Sequence, residues 1–290
     1  MGHDDERGRL EMSTSTVAAP NMVVRGLKDL SIRFLYGFGF LIVLILVWEW
    51  ATVAVPSLFF PPPSRILRTS MELFFSGSPA HLFLTEAITV DVAGTVSRML
   101  LGFIIGSTVG ILAGTAIGRS MILRELTDPN VEFLRSIPAT ATLPLFIILL
   151  GGDDGMRIAF IAYAVMWFVL INTTSGVASI HRTLIDTAHT FRIGRIKTLF
   201  RVIIPAAMPR IFAGLRIGST VSLLAAIVSE LMLATNGIGH RLILAQNMFK
   251  MADLWSWLVL LAILGFLLNT LMEVIERKVL AWDSLARSQE

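Results

Sequence analysis

The residues of this chain best placed for chemistry lie between Asp186 and Arg216. The stretch carries Asp186-Thr187-Ala188, then Phe191-Arg192-Ile193-Gly194, then Val202-Ile203-Ile204-Pro205 with Pro209, and closes on Gly214-Leu215-Arg216. It is basic, punctuated by Gly and Pro, and set between two strongly apolar segments. Such a stretch suits docking to a soluble partner at a membrane surface rather than bond-making. Asp186 or Thr183 can cap a short helix, because a side-chain oxygen satisfies free backbone N–H groups. Gly194 suits the end of that helix, where positive φ is usual. A second amphipathic piece, Lys197–Ile204, leads to Pro205; its Leu199, Phe200 and Val202–Ile204 can lie at the bilayer boundary while Arg195, Lys197 and Arg201 face water. On these residues alone, an interfacial helix hairpin held by anionic lipid is the alternative.

Catalytic chemistry finds less support. The histidines (His3, His81, His181, His189, His240) are scattered, and none pairs with carboxylates at metal-ligand spacing. There is no cysteine, which excludes disulfides and thiolate metal sites. No Gly-x-x-x-x-Gly-Lys-Ser/Thr occurs, nor any Gly-Lys dipeptide, so this chain cannot cradle ATP in a P-loop. Any nucleotide chemistry this chain depends on belongs to another chain.

The elements that hold the loop are membrane helices. Of 290 residues, 54% are hydrophobic and only 16% charged, against about 25% in an average globular chain. So few charges cannot cover a water-facing surface, and the class is an all-α polytopic membrane protein. The net charge of +3 is spread between apolar spans, which is no signature of nucleic-acid binding. A spanning helix needs about 20 mostly apolar residues. Phe34–Val55, Leu100–Ile117, Ile158–Ile180, Phe212–Ala234 and Leu254–Val274 qualify. Ile137–Leu150 is short and carries Pro138 and Pro144, but with Val131–Ser136 in front it can span as a broken helix. The total is six transmembrane helices. Residues 1–33 read as an N-terminal tail, with 1–22 disordered and no cleavable signal peptide. The membrane domain runs over 34–280 and contains the loop 181–211; residues 281–290 form a C-terminal tail.

Orientation follows from the basic residues. With both ends and the Asp186 loop in the cytoplasm, the outer segments hold Arg65, Arg68, Arg98, Arg157, Arg241 and Lys250. All the rest of the 24 Lys and Arg fall inside, a threefold bias. In the outer segments, Pro61-Pro62-Pro63-Ser64 reads as a rigid bend before a short surface helix to Phe75. Residues 81–98 begin the second spanning helix on its outer side.

Other features bear on packing and on a polar path. Gly102, Gly106, Gly110, Gly114 and Gly118 recur every four residues, a flat stripe for close approach of another backbone. It serves packing within the chain or a subunit interface. Glu230 lies near the outer end of its helix, either on the substrate path or bonded to the Asn236–Gly239 turn. Trp48 and Trp50 read as an interfacial belt around Glu49. Broken helices expose backbone that can line a path, so Ser136, Pro138, Thr140, Thr142, Pro144, Asn172 and Thr173 are candidate path residues; packing is the alternative for each.

Taken together, these residues resemble a family. Asp-x-Ala, a turn, and Val-x-Ile-Pro-x-Ala-x-Pro-x-Ile-x-x-Gly-Leu-Arg are similar to the EAA loop of permease subunits of bacterial ABC importers. Asp128-Pro129, Arg135-Ser136-Ile137-Pro138, Leu143-Pro144-Leu145, Asn172–Val177, Ser229-Glu230, Asn236-Gly237-Ile238-Gly239 and Trp282 extend the likeness to the sulfonate/nitrate/taurine branch over residues 34–285. The resemblance implies a type I importer permease fold in the inner membrane. Its loop would be a coupling helix seated on the ATP-binding subunit, with Asp186, Thr187, Ala188, Phe191, Arg192, Gly194 and Pro205 as coupling residues. It also implies two cytoplasmic ATP-binding subunits that carry ATP and Mg, a second copy of this chain, and an external solute-binding protein docking around Pro61–Ser64 and Asn236–Asp253. The chain itself would bind no cofactor and catalyse nothing. Its substrate would be a small solute of the alkanesulfonate, taurine, nitrate or bicarbonate type. Two departures stand out. The family carries Glu-Ala-Ala where this chain has Asp186-Thr187-Ala188. It also carries Gly six residues after the acid, where this chain has Arg192, which shifts the expected turn to Gly194. The rival functional class is a stand-alone secondary transporter or channel, which calls for inverted repeats and mid-membrane ionisable pairs. A membrane enzyme would need a catalytic cluster near the surface.

Overall fold

The computed structural model describes residues 39–77 and 83–282. All the regular structure among them is helical. The chain divides into two compact units, with the boundary between Val55 and Pro56. In the first, helix α1 (Gly39–Ala54) is the described part. It is apolar but has only 16 described residues, because the span expected over 34–55 begins outside them. The two expected tails, 1–33 and 281–290, also lie outside apart from Ala281 and Trp282.

In the second unit, α2 (Pro63–Phe75) follows the Pro61–Pro63 run, with Pro63 in its first turn. That position needs no backbone N–H, and the ring presets φ. The remaining helices are α3 (Ala93–Gly118), α4 (Met121–Ser136), α5 (Ala139–Leu150), α6 (Asp154–Ala178), α7 (Arg182–Thr190), α8 (Arg195–Thr198), α9 (Ile204–Leu233), α10 (Ile238–Asn247) and α11 (Met251–Val279). Wide π turns lead into α3 (Ala87–Val92) and α9 (Leu199–Ile203). The segments from 87 to 118, 154 to 178, 195 to 233 and 251 to 279 are each long and apolar enough to cross a membrane.

Helix α6 is the central element, packed along α3 on one side and α9 on the other. Phe160, Ile161, Val165 and Val169 of α6 are fully buried, with Met99, Leu143, Ala225 and Ala226 against them. The glycine stripe of α3 lies on α6. A Cβ on Gly114 would sit 2.7 Å from the Leu170 carbonyl oxygen and 2.8 Å from Cβ of Thr173. Only a residue without a side chain lets the two backbones approach this closely. The Thr174 hydroxyl uses the approach, donating to the Gly114 carbonyl at 3.3 Å. A second cluster joins Phe74 of α2, Ile227 of α9, Ile238 and Leu242 of α10, and Trp257 of α11. There Phe74 meets Trp257 edge to face.

The span expected over 131–150 is not a straight rod. α4 and α5 meet at 89°. Ile137, preceding Pro138, takes extended angles (φ −75°, ψ 119°), because the proline ring excludes the helical region from its predecessor. Pro144, in contrast, sits inside α5. With 12 residues, α5 is only about 18 Å long, short of the ~30 Å hydrocarbon core. No residue of α4 is buried.

Candidate coupling loop and polar cluster at the two ends of α9

The loop is built around α7. Its N-cap is neither Thr183 nor Asp186 but His181, whose Nδ1 accepts from the Thr183 N–H at 3.3 Å. Asp186 lies in mid-helix and is exposed, as is Thr187. The Thr187 and Thr190 hydroxyls bond back to the carbonyls of Thr183 and Asp186 at 2.7 and 2.9 Å. Ala188 is 3% exposed, so its methyl packs inward within this chain. Phe191 stands out from the helix end at 74% exposure.

The turn after α7 is where Arg192 departs from the family glycine, and it is not shifted to Gly194. Arg192 itself takes the left-handed conformation, φ +50°. Its N–H donates to the His189 carbonyl, and the Ile193 N–H to the Ala188 carbonyl, both at 2.9 Å. This pair of bonds is the Schellman closure of a helix end. Gly194 has φ −60° and is instead the N-cap of α8. The amphipathic piece expected over 197–204 exists, but it does not stop at Pro205. α8, the π turn and α9 run on as one apolar segment of 39 residues. Pro205 lies in the first turn of α9. Its ring would clash with the carbonyl four residues back in a regular helix, and the wide turn directly before it relieves that crowding.

At the other end of α9, Glu230 is buried (1% exposed). Its carboxylate receives Arg98 Nη1–H at 2.7 Å, the Thr95 hydroxyl at 2.9 Å and the Gly239 N–H at 3.0 Å. Arg98 Nη2–H also donates to Asn236 Oδ1 at 2.6 Å, and Arg98 Nε lies 3.3 Å from Asp154 Oδ1. Asp91 accepts from the Gly237 N–H at 2.9 Å and from Arg241 Nε–H at 2.7 Å. The Ile238 N–H donates to Thr95 Oγ1 at 2.9 Å. Arg157 donates to Asp154 at 2.6 Å and to the carbonyls of Gly152 and Leu233 at 2.9 and 3.0 Å. Asp153 caps α6 through the Met156 N–H. The backbone makes this possible at Gly237, where φ is +115° and a Cβ would lie 2.5 Å from the Glu230 carboxylate. Glu230, Asp91 and Asp154 thus balance Arg98, Arg241 and Arg157, and buried charges survive when they are paired and supported by hydrogen bonds.

The structure does not gather the other candidate path residues into one site. Ser136, Pro138, Thr140 and Pro144 are exposed on α4 and α5, and the Ser136 hydroxyl donates to the Glu132 carbonyl at 2.7 Å. Thr142 is half-buried beside Phe146 and Tyr163. Asn172 turns its Cβ toward Gly214 of α9, while Thr173 is fully buried against Gly114 of α3. Glu230 is near none of them in its contacts. Sequence reasoning missed Thr95 and Arg98 as partners of Glu230, and Asp91 as the acid beside them that holds Gly237 and Arg241. Their i, i+4, i+7 spacing on one helical face was the available signal.

Residues 106–281 match the binding-protein-dependent transport system inner membrane component. The chain belongs to this family. It is a multi-pass permease component, and the family's members are not catalytic. Among relatives, it is 30% identical to the taurine transport system permease protein TauC of Escherichia coli K12 over 256 residues, 87% of this chain and 91% of TauC. It is 27% identical to the nitrate import permease protein NrtB of Synechocystis over 237 residues, 82% of this chain and 86% of NrtB. Among solved structures, a chain of the inward-facing MetNI methionine ABC transporter superposes with a TM-score of 0.52 at 20% identity, covering 65% of this chain and 92% of that one. That likeness is one of fold.

Proposed function

We propose that this permease works as one of two identical copies in an ATP-driven importer of a small anion of the taurine, sulfonate or nitrate type. Two ATP-binding subunits, carrying ATP and Mg, dock on α7, and their closure rocks the helix bundle between outward and inward access. The loop and both chain ends lie in the cytoplasm, in keeping with the threefold bias of basic residues. An external binding protein delivers the solute to the opposite face. There, residues 59–66 adjoin the start of α11 through Trp255 Nε1–H to the Phe59 carbonyl (2.9 Å) and the Ser256 hydroxyl to the Ile66 carbonyl (3.2 Å).

The observation that carries this reading is the shape of the loop. α7 presents Asp186 and Phe191 outward from a closed helix end, at the foot of the helix whose far end holds the Glu230 cluster. An aromatic anchor beside a charge is a common interface hot spot. Expressed with its ATP-binding subunit, the wild-type chain should co-elute with it. Asp186→Arg and Phe191→Asp should insert normally, lose co-elution and lower solute-stimulated ATPase by about tenfold or more, the loss of one hot spot. Full transport by both variants, with normal assembly, would overturn the assignment. Substrate class is read from competition of taurine, nitrate and a neutral analogue for uptake.

A further inference from the structure

A cleft of about 370 Å³ lies between the C-terminal ends of α3 and α6, the start of α4 and the inner side of the α7 loop. Arg119, Arg124, Arg182, Arg195 and His189 line it, and no carboxylate does. Val177 and Ile203 give it an apolar floor. None of the four guanidinium groups makes an ion pair or side-chain hydrogen bond among the described residues. Arg98, Arg157, Arg216 and Arg241, by contrast, each face a carboxylate.

Helix dipoles do not account for this concentration of charge. A helix C-terminus carries roughly half a negative charge and an N-terminus roughly half a positive one. The carbonyl ends of α3 and α6 are therefore about offset by the amino ends of α4 and α7. Four positive charges remain without a counter-charge, and Arg124 is only half exposed. Guanidinium groups present planar forks of N–H donors that match tetrahedral oxyanions two bonds at a time.

We propose that this cleft is a phosphate-binding site that ties the α7 loop to α3 and α4. The group bound is a phosphate, supplied by an anionic lipid headgroup or by soluble phosphate. Both sources share the chemistry that four arginines lining one cleft select. Arg182 opens α7 and Arg195 opens α8, while Arg119 and Arg124 belong to the α3–α4 corner. A bound phosphate would bridge the two and stiffen the loop against the helix bundle.

The test uses the full-length chain in nanodiscs, with whatever ATP-binding subunits copurify. In one arm the lipid is phosphatidylcholine alone, and inorganic phosphate is titrated against chloride at constant ionic strength. In the other, phosphate is absent and the lipid contains phosphatidylglycerol. Each arm reads saturable binding by native mass spectrometry and the shift in melting temperature. The expected result is one bound phosphate group per chain in at least one arm. The Arg124→Gln/Arg182→Gln pair should lower its affinity about tenfold or more, as for loss of charged hydrogen bonds, and the corresponding Lys pair should retain part of it. Binding in the first arm identifies soluble phosphate; binding in the second alone identifies a headgroup. Should the Gln pair not reach the membrane, Arg119→Gln gives the same reading with a smaller loss. Absence of saturable binding in both arms, or equal binding by wild type and Gln variants, would overturn the proposal. It would leave the cleft to a carboxylate of the docked ATP-binding subunit or to water.

Discussion

At the scale of single residues, Arg192 and Glu230 show how context decides what a side chain does. Left-handed backbone costs an L-residue about 1–2 kcal/mol, and Arg192 bears that cost at φ +50°. Arg192→Gly should therefore raise the melting temperature in detergent, by the equivalent of about 1 kcal/mol. An unchanged or lower value would mean that the guanidinium repays its own strain. For Glu230, truncation leaves Arg98 buried with a partial set of partners, and breaking such a pair costs about 3–5 kcal/mol. Glu230→Ala should reach the membrane in much reduced amount, which quantitative blotting of membrane fractions would measure. Both residues were visible in the sequence, Glu230 with its Asn236–Gly239 turn. The chain placed Asp91, Thr95 and Arg98 on one helical face by spacing, but it did not say that this face meets Glu230, since a cation beside an apolar span looks like a loop charge until the turn folds over it. Nor could it say that Ala188 points inward, because a nine-residue helix has no apolar period long enough to fix its buried face.

Among the elements, the most legible was the glycine stripe of α3. Its four-residue repeat is itself the geometry of contact, and the structure lays it along α6. Gly114→Leu must push α3 from α6, because the obstructing atoms are the Leu170 carbonyl and the Thr173 Cβ. Overpacking of this kind costs about 1–3 kcal/mol. By comparison, Leu112→Ala changes a residue that is 66% exposed and should leave thermal stability near wild type. Size-exclusion profiles after heating compare the two directly, and equal behaviour would contradict the packing described. The least legible element was the α4–α5 pair. Two prolines marked a break, yet only Pro138 turned the chain and Pro144 stayed inside a helix. The angle of a break depends on what packs on either side of it, and local sequence does not encode that.

On the scale of the whole molecule, hydropathy was enough for the class and for four of the six expected spans among the described residues, because bilayer thickness sets segment length independently of tertiary detail. Sidedness rests on charge alone, and the absence of cysteine makes it directly measurable. Single cysteines at Asp186 and at Gln246 should react with a membrane-impermeant maleimide from opposite sides, Gln246 in intact cells and Asp186 only after lysis. Labelling of both from one side would reverse the orientation.

The π turn at Leu199–Ile203 has a further consequence. Each residue of a regular helix advances the chain by about 100°. One residue lost in the body of α9 would therefore swing the loop around the helix axis and away from its partner. A wide turn already holds surplus chain, and tightening it to a regular turn absorbs such a loss with the loop still facing the same way. The segment next to Pro205 is thus the place along this 39-residue rod where a one-residue deletion keeps the loop facing the same way, at the cost of bringing back the crowding of the Pro205 ring.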